Sequence, residues 1–164
     1  MSIILQTNIG DITLELFCEK APNSVKNFLA LAASGDYDGT IFHRNVAGFI
    51  IQGGDPSGTG KEGLNFQGKL QADEIVHELK HDRRGVVGLS NMNKPDTVGS
   101  QFFITYGPQP HLDGVYSVFG RVVDGWEVVD KMEKVEVGKK HRPVEEIKIL
   151  KVKVLRNPIA EAEA

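Results

Sequence analysis

The chain has 164 residues, of which 40% are hydrophobic and 25% are charged, and its formal net charge at pH 7 is −3. This length and composition predict one soluble globular domain with a substantial core. The slightly negative charge argues against broad electrostatic binding to nucleic acid or membranes. The single cysteine, Cys18, cannot form an internal disulfide, and no secretory signal is visible. We therefore expect a cytoplasmic or nuclear protein.

The first part of the chain predicts a β-hairpin followed by a helix. Residues 3–7 and 11–17 are rich in β-forming residues and flank a turn at residues 8–10. Apolar and polar residues alternate in the second run, which indicates a strand with one buried face. Pro22 suits the first turn of the helix, and Gly35 can end it.

Six more strands and one more helix are predicted after Gly35. The helix is expected at residues 126–134, and residues 55–73 are Gly-rich and polar, which is typical of a long surface loop. Because strands outnumber crossover connections, we expect an antiparallel sheet, and eight strands can close into a barrel. The six strands are expected at residues 40–44, 49–52, 85–90, 100–105, 116–123 and 146–155.

One glycine-rich segment, residues 58–63, matches the G-x-G-x-x-G pattern of dinucleotide-binding proteins. That pattern binds a pyrophosphate only when a strand leads into it and a helix follows it. Residues 64–68 contain another glycine and no helical apolar stripe. We therefore expect a flexible loop here and no nucleotide site.

Residues 77–81 read H-E-x-x-H, the zinc-binding motif of metalloproteases. In the extended form of that motif, Arg84 stands where a glycine belongs and Val87 where the third histidine belongs. Glu127 or Glu133 on the later helix would have to supply the missing ligand. A solvated surface turn is the favoured interpretation, and a zinc hydrolase is a remote alternative.

The two most informative segments are residues 41–55, IFHRNVAGFIIQGGD, and residues 99–105, GSQFFIT. Each places polar side chains among phenylalanines on a β-prone stretch. Side chains two apart on a strand share a face, so Ile50 lies with Gln52, and Gln101 lies with Phe103. An amide beside an apolar ring is typical of an apolar pocket that carries a few polar groups.

These two segments closely resemble the cyclophilins, the peptidyl-prolyl isomerases, and the similarity runs over about residues 3–157. The resemblance implies a mainly β fold, a closed eight-stranded antiparallel β-barrel capped by two α-helices. It places a single isomerase domain at residues 1–157 and leaves residues 158–164 as a short acidic tail. It also implies an enzyme that rotates X–Pro peptide bonds, in protein folding or conformational switching, and needs no cofactor or metal.

The resemblance implies site residues one by one. It makes Arg44 the catalytic residue, whereas an arginine taken alone is more often part of a surface salt bridge. Positions that match the proline pocket are Phe49, Ile50, Gln52, Phe103 and Leu112. Positions that match the substrate groove and its rim are Gly58, Ser90, Asn91, Met92, Gln101, His111 and Tyr116.

Four of these positions depart from the best-known members of the family. Those members carry Met at the position of Ile50 and Ala at the position of Ser90. They carry Trp at the position of His111 and His at the position of Tyr116. Residues 111–120 resemble the short single-domain cyclophilins associated with the spliceosome. We therefore expect a monomer whose partners are proline-containing peptides and proteins, spliceosomal proteins, and cyclosporin with reduced affinity. A non-catalytic module that binds proline loops in such an assembly is the alternative that the sequence leaves open.

Overall fold

A computed structural model describes residues 1–155, which form one sheet and two α-helices. The predicted acidic tail lies outside the described residues. No helix within the described part is both long and apolar enough to cross a bilayer. The helices are α1 (Pro22–Ala33) and α2 (Trp126–Glu133), and the strands are β1 (Ser2–Thr7), β2 (Asp11–Leu16), β3 (Arg44–Val46), β4 (Ile50–Gly53), β5 (Val86–Leu89), β6 (Phe102–Thr105), β7 (Val118–Asp124) and β8 (Ile149–Val154).

The eight strands form one antiparallel sheet in the order β3-β4-β6-β5-β7-β2-β1-β8. The sheet curls but stays open, so the expectation of a closed barrel was wrong. The strands at its two edges, β3 and β8, share no hydrogen-bonded ladder. β3 has only three residues. The chain before it meets the start of β8 through an isolated bridge, Ile41 to Lys148, and a few backbone hydrogen bonds around it. The fold is therefore an open half-barrel with two helices.

The predicted elements are present, with shifted bounds where pairing decides them. The first hairpin, β1 with β2, and both helices lie where the alternation and the apolar stripe place them. The strand expected at residues 40–44 instead begins at Arg44, because the ladder with β4 starts at the pair Arg44–Gln52. Local patterns therefore predict the elements, and pairing partners decide where each strand begins.

Two apolar clusters lie on opposite faces of the sheet. The large cluster fills the inside of the half-barrel and includes the buried Ile51, Phe102 and Ile104. The small cluster consists of Ile50, Phe103 and Leu112, with Phe49 and Tyr116 packed against it. Successive strand residues point to opposite faces, so β4 and β6 each contribute to both clusters. The small cluster forms an apolar floor on the outer face of the sheet.

Candidate active site

A row of four paired positions crosses four neighbouring strands at this apolar floor. Arg44 on β3 pairs with Gln52 on β4, Gln52 pairs with Phe103 on β6, and Phe103 pairs with Gly88 on β5. Side chains at directly paired positions lie on one face of a sheet. The register thus places a guanidinium, an amide and an aromatic ring side by side, although the ring of Phe103 lies about fifty residues further along the chain.

Three residues of this row, Arg44, Gln52 and Phe103, line a cavity of about 930 Å³. Its apolar walls include the small cluster, and His111 stacks on Phe49 with 5.5 Å between the ring centroids. The Phe103 ring is held edge-on by Tyr116, with 5.8 Å between the centroids. A cavity of this size, apolar with a few polar groups, suits a peptide segment or a drug-sized ligand.

Arg44 lines the cavity and is half-buried. Its guanidinium carbon lies 5.5 Å from the centre of the Phe49 ring, a cation–π arrangement that holds the side chain over the cavity. Within residues 1–155, no carboxylate lies within 4.0 Å of this guanidinium. The salt-bridge interpretation is therefore wrong for the described residues, and the donors of Arg44 are available to a ligand.

A chain of amide groups fixes the polar wall behind Arg44. Gln52 Nε2 donates to Gln101 Oε1 at 2.8 Å, and Gln101 Nε2 donates to the carbonyl oxygen of Glu62 at 2.9 Å. Gln101 is 2% exposed and does not line the cavity. Its position supports Gln52, which does line the cavity, so Gln101 orients the wall from behind.

Most of the residues predicted for the site line this one cavity. The exceptions are Gln101, Gly58 and Asn91. The Asn91 side chain points away, since its Nδ2 donates to the carbonyl oxygen of Val115 at 2.9 Å. The carbonyl oxygen of Asn91 already accepts from the backbone N–H of Lys94 at 3.0 Å and from the Thr97 hydroxyl. The predicted residues that line the cavity are Arg44, Phe49, Ile50, Gln52, Ser90, Met92, Phe103, His111, Leu112 and Tyr116.

A buried histidine supports the floor from below. The His81 ring stacks on Phe103 with 5.6 Å between the centroids, and its Nδ1 lies 2.9 Å from Asp113 Oδ1. Burial lowers the pKa of His81, and the neighbouring Asp113 only partly offsets this effect. The neutral imidazole is thus the form that suits this site.

The buried position of His81 also argues against a zinc site at residues 77–81. His81 is buried beneath the floor, whereas His77 is exposed and lies outside any helix. The two side chains therefore do not share the helical face that the motif requires. Among residues 1–155, no group of three or more His, Cys, Asp or Glu side chains could hold a metal ion.

The glycine-rich loop after β4 is tied together by one carboxylate. The buried Asp55 accepts from the backbone N–H groups of Ser57 at 2.8 Å, Gly60 at 2.7 Å and Glu62 at 3.1 Å. Burial alone would raise the pKa of Asp55, but the hydrogen bonds from these residues bring it below its usual range. The loop has no helix after it, as expected, and it is ordered by Asp55.

Sequence reasoning missed one wall of the cavity. This wall is basic, and its members come from the residue before β3, from the loop after β4 and from a loop between α2 and β8. No motif marks them, because exposed lysines are common on any surface. The wall consists of His43, Lys61, Lys139, Lys140, His141 and Arg142.

The half-barrel with a free arginine over an apolar pocket is the architecture of a known class of enzymes. The chain belongs to the cyclophilin-type peptidyl-prolyl cis-trans isomerase family, whose model matches residues 2–154. It is 56% identical to the peptidyl-prolyl cis-trans isomerase CYP18-1 of Arabidopsis thaliana over 98% of this chain and 99% of that protein. It is 52% identical to the peptidyl-prolyl cis-trans isomerase-like 3 of Homo sapiens over 98% of this chain and 100% of that protein.

A solved structure agrees with these sequence relatives. The cyclophilin type peptidyl-prolyl cis-trans isomerase of Cryptosporidium parvum, crystallised in the presence of the dipeptide Ala-Pro, superposes with a TM-score of 0.92. Its sequence is 49% identical, and the match covers 96% of this chain and 100% of that one. The predicted family is therefore confirmed, and the zinc hydrolase alternative has no support.

Proposed function

We propose that Arg44 is the catalytic residue of this isomerase and that the cavity over Ile50, Phe103 and Leu112 holds the substrate proline. The observation that carries the proposal is the free guanidinium of Arg44 over that floor. An apolar ring fits the floor, and the preceding carbonyl remains free to rotate. The role of each residue follows from what the reaction requires.

The reaction needs little chemistry from the protein. Rotation about an X–Pro bond has a barrier of roughly 18–20 kcal/mol because the twisted amide loses its resonance. In the twisted form the prolyl nitrogen is pyramidal, and its lone pair can accept a hydrogen bond. A group that binds this form more tightly than either planar form accelerates the rotation. Arg44 can donate to that nitrogen, since its guanidinium carries several N–H groups and a positive charge.

The remaining residues hold the substrate still. Phe103, packed between Tyr116 and His81, supplies a rigid ring for the proline to lie on. Gln52, held by Gln101, is placed to hydrogen-bond the peptide backbone. Asn91 matches a position of the substrate groove, but its side chain and its carbonyl oxygen make internal hydrogen bonds, which favours Gln52 as the group that binds the peptide backbone. Catalysis then rests on orientation and on one charge-assisted hydrogen bond.

The test is Arg44→Ala, compared with Arg83→Ala. Arg83 is an exposed arginine that pairs with the neighbouring Asp82 and does not line the cavity. Loss of a hydrogen bond from a charged donor lowers kcat/KM by about tenfold to a hundredfold. We expect this loss for Arg44→Ala, with an unchanged melting temperature, and no loss for Arg83→Ala. Full activity of Arg44→Ala would remove Arg44 from the mechanism.

We also propose that the physiological partners are proline-containing protein loops, including spliceosomal proteins in the cytoplasm or nucleus. The support is the resemblance of residues 111–120 to spliceosome-associated cyclophilins. A proline-loop module would bind through the same cavity without turnover. Titration of a proline peptide beside the turnover assay separates the two, because a pure binding module gives a measurable Kd and no rate enhancement.

A further inference from the structure

The cavity continues past the proline floor into the basic wall, and only on one side. Lys139, Lys140 and Arg142 lie on the side of β3, where their loop packs against that strand. The opposite side follows β5 and is lined by the neutral Ser90, Met92 and Asn93. Among residues 1–155, no aspartate or glutamate lines the cavity, in a protein whose formal net charge is −3. This asymmetry of charge is the observation that carries the inference.

Hydrogen bonds hold the basic wall in place. Residues 138–142 form a closed turn, in which the Gly138 N–H donates to the carbonyl oxygen of Arg142 at 2.8 Å and a bridge joins Val137 to Pro143. Arg142 Nη2 donates to the carbonyl oxygen of Gly58 at 2.5 Å, which ties this turn to the loop that Asp55 orders. The backbone of residues 138–142 and the Arg142 side chain are therefore held in place before any ligand arrives, and a preorganised backbone loses less entropy on binding.

The lysines of this wall have no partners of their own. Lys61, Lys139 and Lys140 are exposed, and within residues 1–155 no carboxylate lies within 4.0 Å of their ammonium groups. The buried His43 lines the same wall, and its Nδ1 has no hydrogen-bond partner in the described part of the chain. The cavity of about 930 Å³ is larger than an X–Pro unit needs.

We propose that this basic wall selects substrates with an anionic side chain, a carboxylate or a phosphate, within a few residues of the proline and on one side of it only. The proposal rests on the proposed function, because the proline must occupy the floor for the flanking residue to reach the wall. An extended peptide advances about 3.3–3.6 Å per residue, so a flanking side chain reaches beyond the proline pocket within a few residues. A protein surface is favoured over RNA as the anion source because the wall continues directly from a peptide pocket.

The experiment measures kcat/KM for short peptides that carry one Ala-Pro bond and one variable position on either side of it. That position carries glutamine, glutamate or phosphoserine, and exchange NMR measures the rate without a protease. Exposed ion pairs are individually weak, so we expect the anionic peptides to gain about threefold to thirtyfold over glutamine, on one side of the proline only. In about 1 M salt, where the screening length is about 3 Å, the gain falls towards unity. A gain for phosphoserine alone assigns the wall to phosphate, and an equal gain for glutamate assigns it to anions in general; either supports the proposal.

Two triple variants localise the effect. Lys61→Gln with Lys139→Gln and Lys140→Asn removes three charges from the wall, and asparagine tolerates the left-handed backbone of Lys140, whose φ is 57°. The control removes the same charge from exposed lysines that do not line the cavity: Lys20→Gln, Lys151→Gln and Lys153→Gln. We expect the wall variant to lose the preference and the control to keep it.

Several results would overturn the proposal. They are equal rates for anionic and neutral peptides, an equal gain on both sides of the proline, or a preference that survives in the wall variant. Binding of a single-stranded RNA oligonucleotide through the wall, with no preference among peptides, would assign the wall to another ligand and would also overturn it. If the enzyme does not turn over the neutral peptide, the proposed function is refuted instead. The preference for anionic over neutral peptides is then measured as a ratio of Kd values by NMR titration.

Discussion

Gly88 is where a single added methyl group should damage the active site without touching any predicted catalytic residue. It lies on β5, directly opposite Phe103 on β6. A Cβ at this position would lie 2.4 Å from Cζ of Phe103, whereas ordinary contacts begin at 3.4 Å. In Gly88→Ala the ring must therefore move by about 1 Å. His81 stacks on one face of the ring and Tyr116 meets it edge-on, so the ring moves towards the cavity.

The magnitude follows from the size of this displacement. Overpacking of this kind costs about 1–3 kcal/mol of folding free energy, which leaves the domain folded. A displacement of about 1 Å in a substrate-positioning group costs up to about a hundredfold in rate. We expect kcat/KM for an X–Pro peptide to fall by about tenfold to a hundredfold in Gly88→Ala, and the melting temperature to fall by a few degrees.

Two glycines provide controls, and a second substitution tests the cause. Gly107→Ala meets no atom within 4 Å and should behave as wild type. Gly120→Ala meets the carbonyl oxygen of Glu15 at 2.7 Å, away from the cavity, so it should lose stability but keep the kcat/KM of the folded enzyme. In a Phe103→Leu background the clash is relieved, so adding Gly88→Ala should cost little more. Wild-type activity of Gly88→Ala would show that the position of Phe103 does not limit the reaction.

Three further predictions concern His111 at the cavity rim, His81 beneath the floor, and zinc binding. His111→Trp should tighten cyclosporin binding by about tenfold to a few hundredfold, because the larger indole adds apolar area and an N–H donor; unchanged affinity by calorimetry would contradict this. Because burial lowers the pKa of His81, the unfolded chain binds more protons than the folded one below about pH 6.5. The free energy of unfolding, measured by urea denaturation, should therefore fall as the pH drops below that value. This fall should be less steep in His81→Asn than in the exposed control His77→Asn, and equal slopes would exclude His81 as the cause. Elemental analysis after dialysis should find no stoichiometric zinc, since His77 is exposed and His81 is buried against Asp113; one zinc per chain would refute this.

The sequence alone determined the elements and the family of this protein. Alternation in residues 11–17 predicts a strand, and Pro22 with its apolar stripe predicts α1, because these signals depend only on neighbours along the chain. The segments at residues 41–55 and 99–105 are long, ordered and specific, so they identify the family. Through that resemblance they also predict five residues of the cavity lining: Arg44, Phe49, Ile50, Gln52 and Phe103.

Only the tertiary structure decided which distant residues meet. Strand register aligns Arg44, Gln52, Phe103 and Gly88, and a shift of one residue would turn a strand's side chains to the other face. The same three-dimensional arrangement leaves the sheet open beside the short β3 and buries His81 of an apparent zinc motif beneath the floor. It also brings together the basic wall from segments that lie far apart in the sequence. Local patterns cannot encode such contacts, because they depend on long-range pairing and on how each loop is tied down.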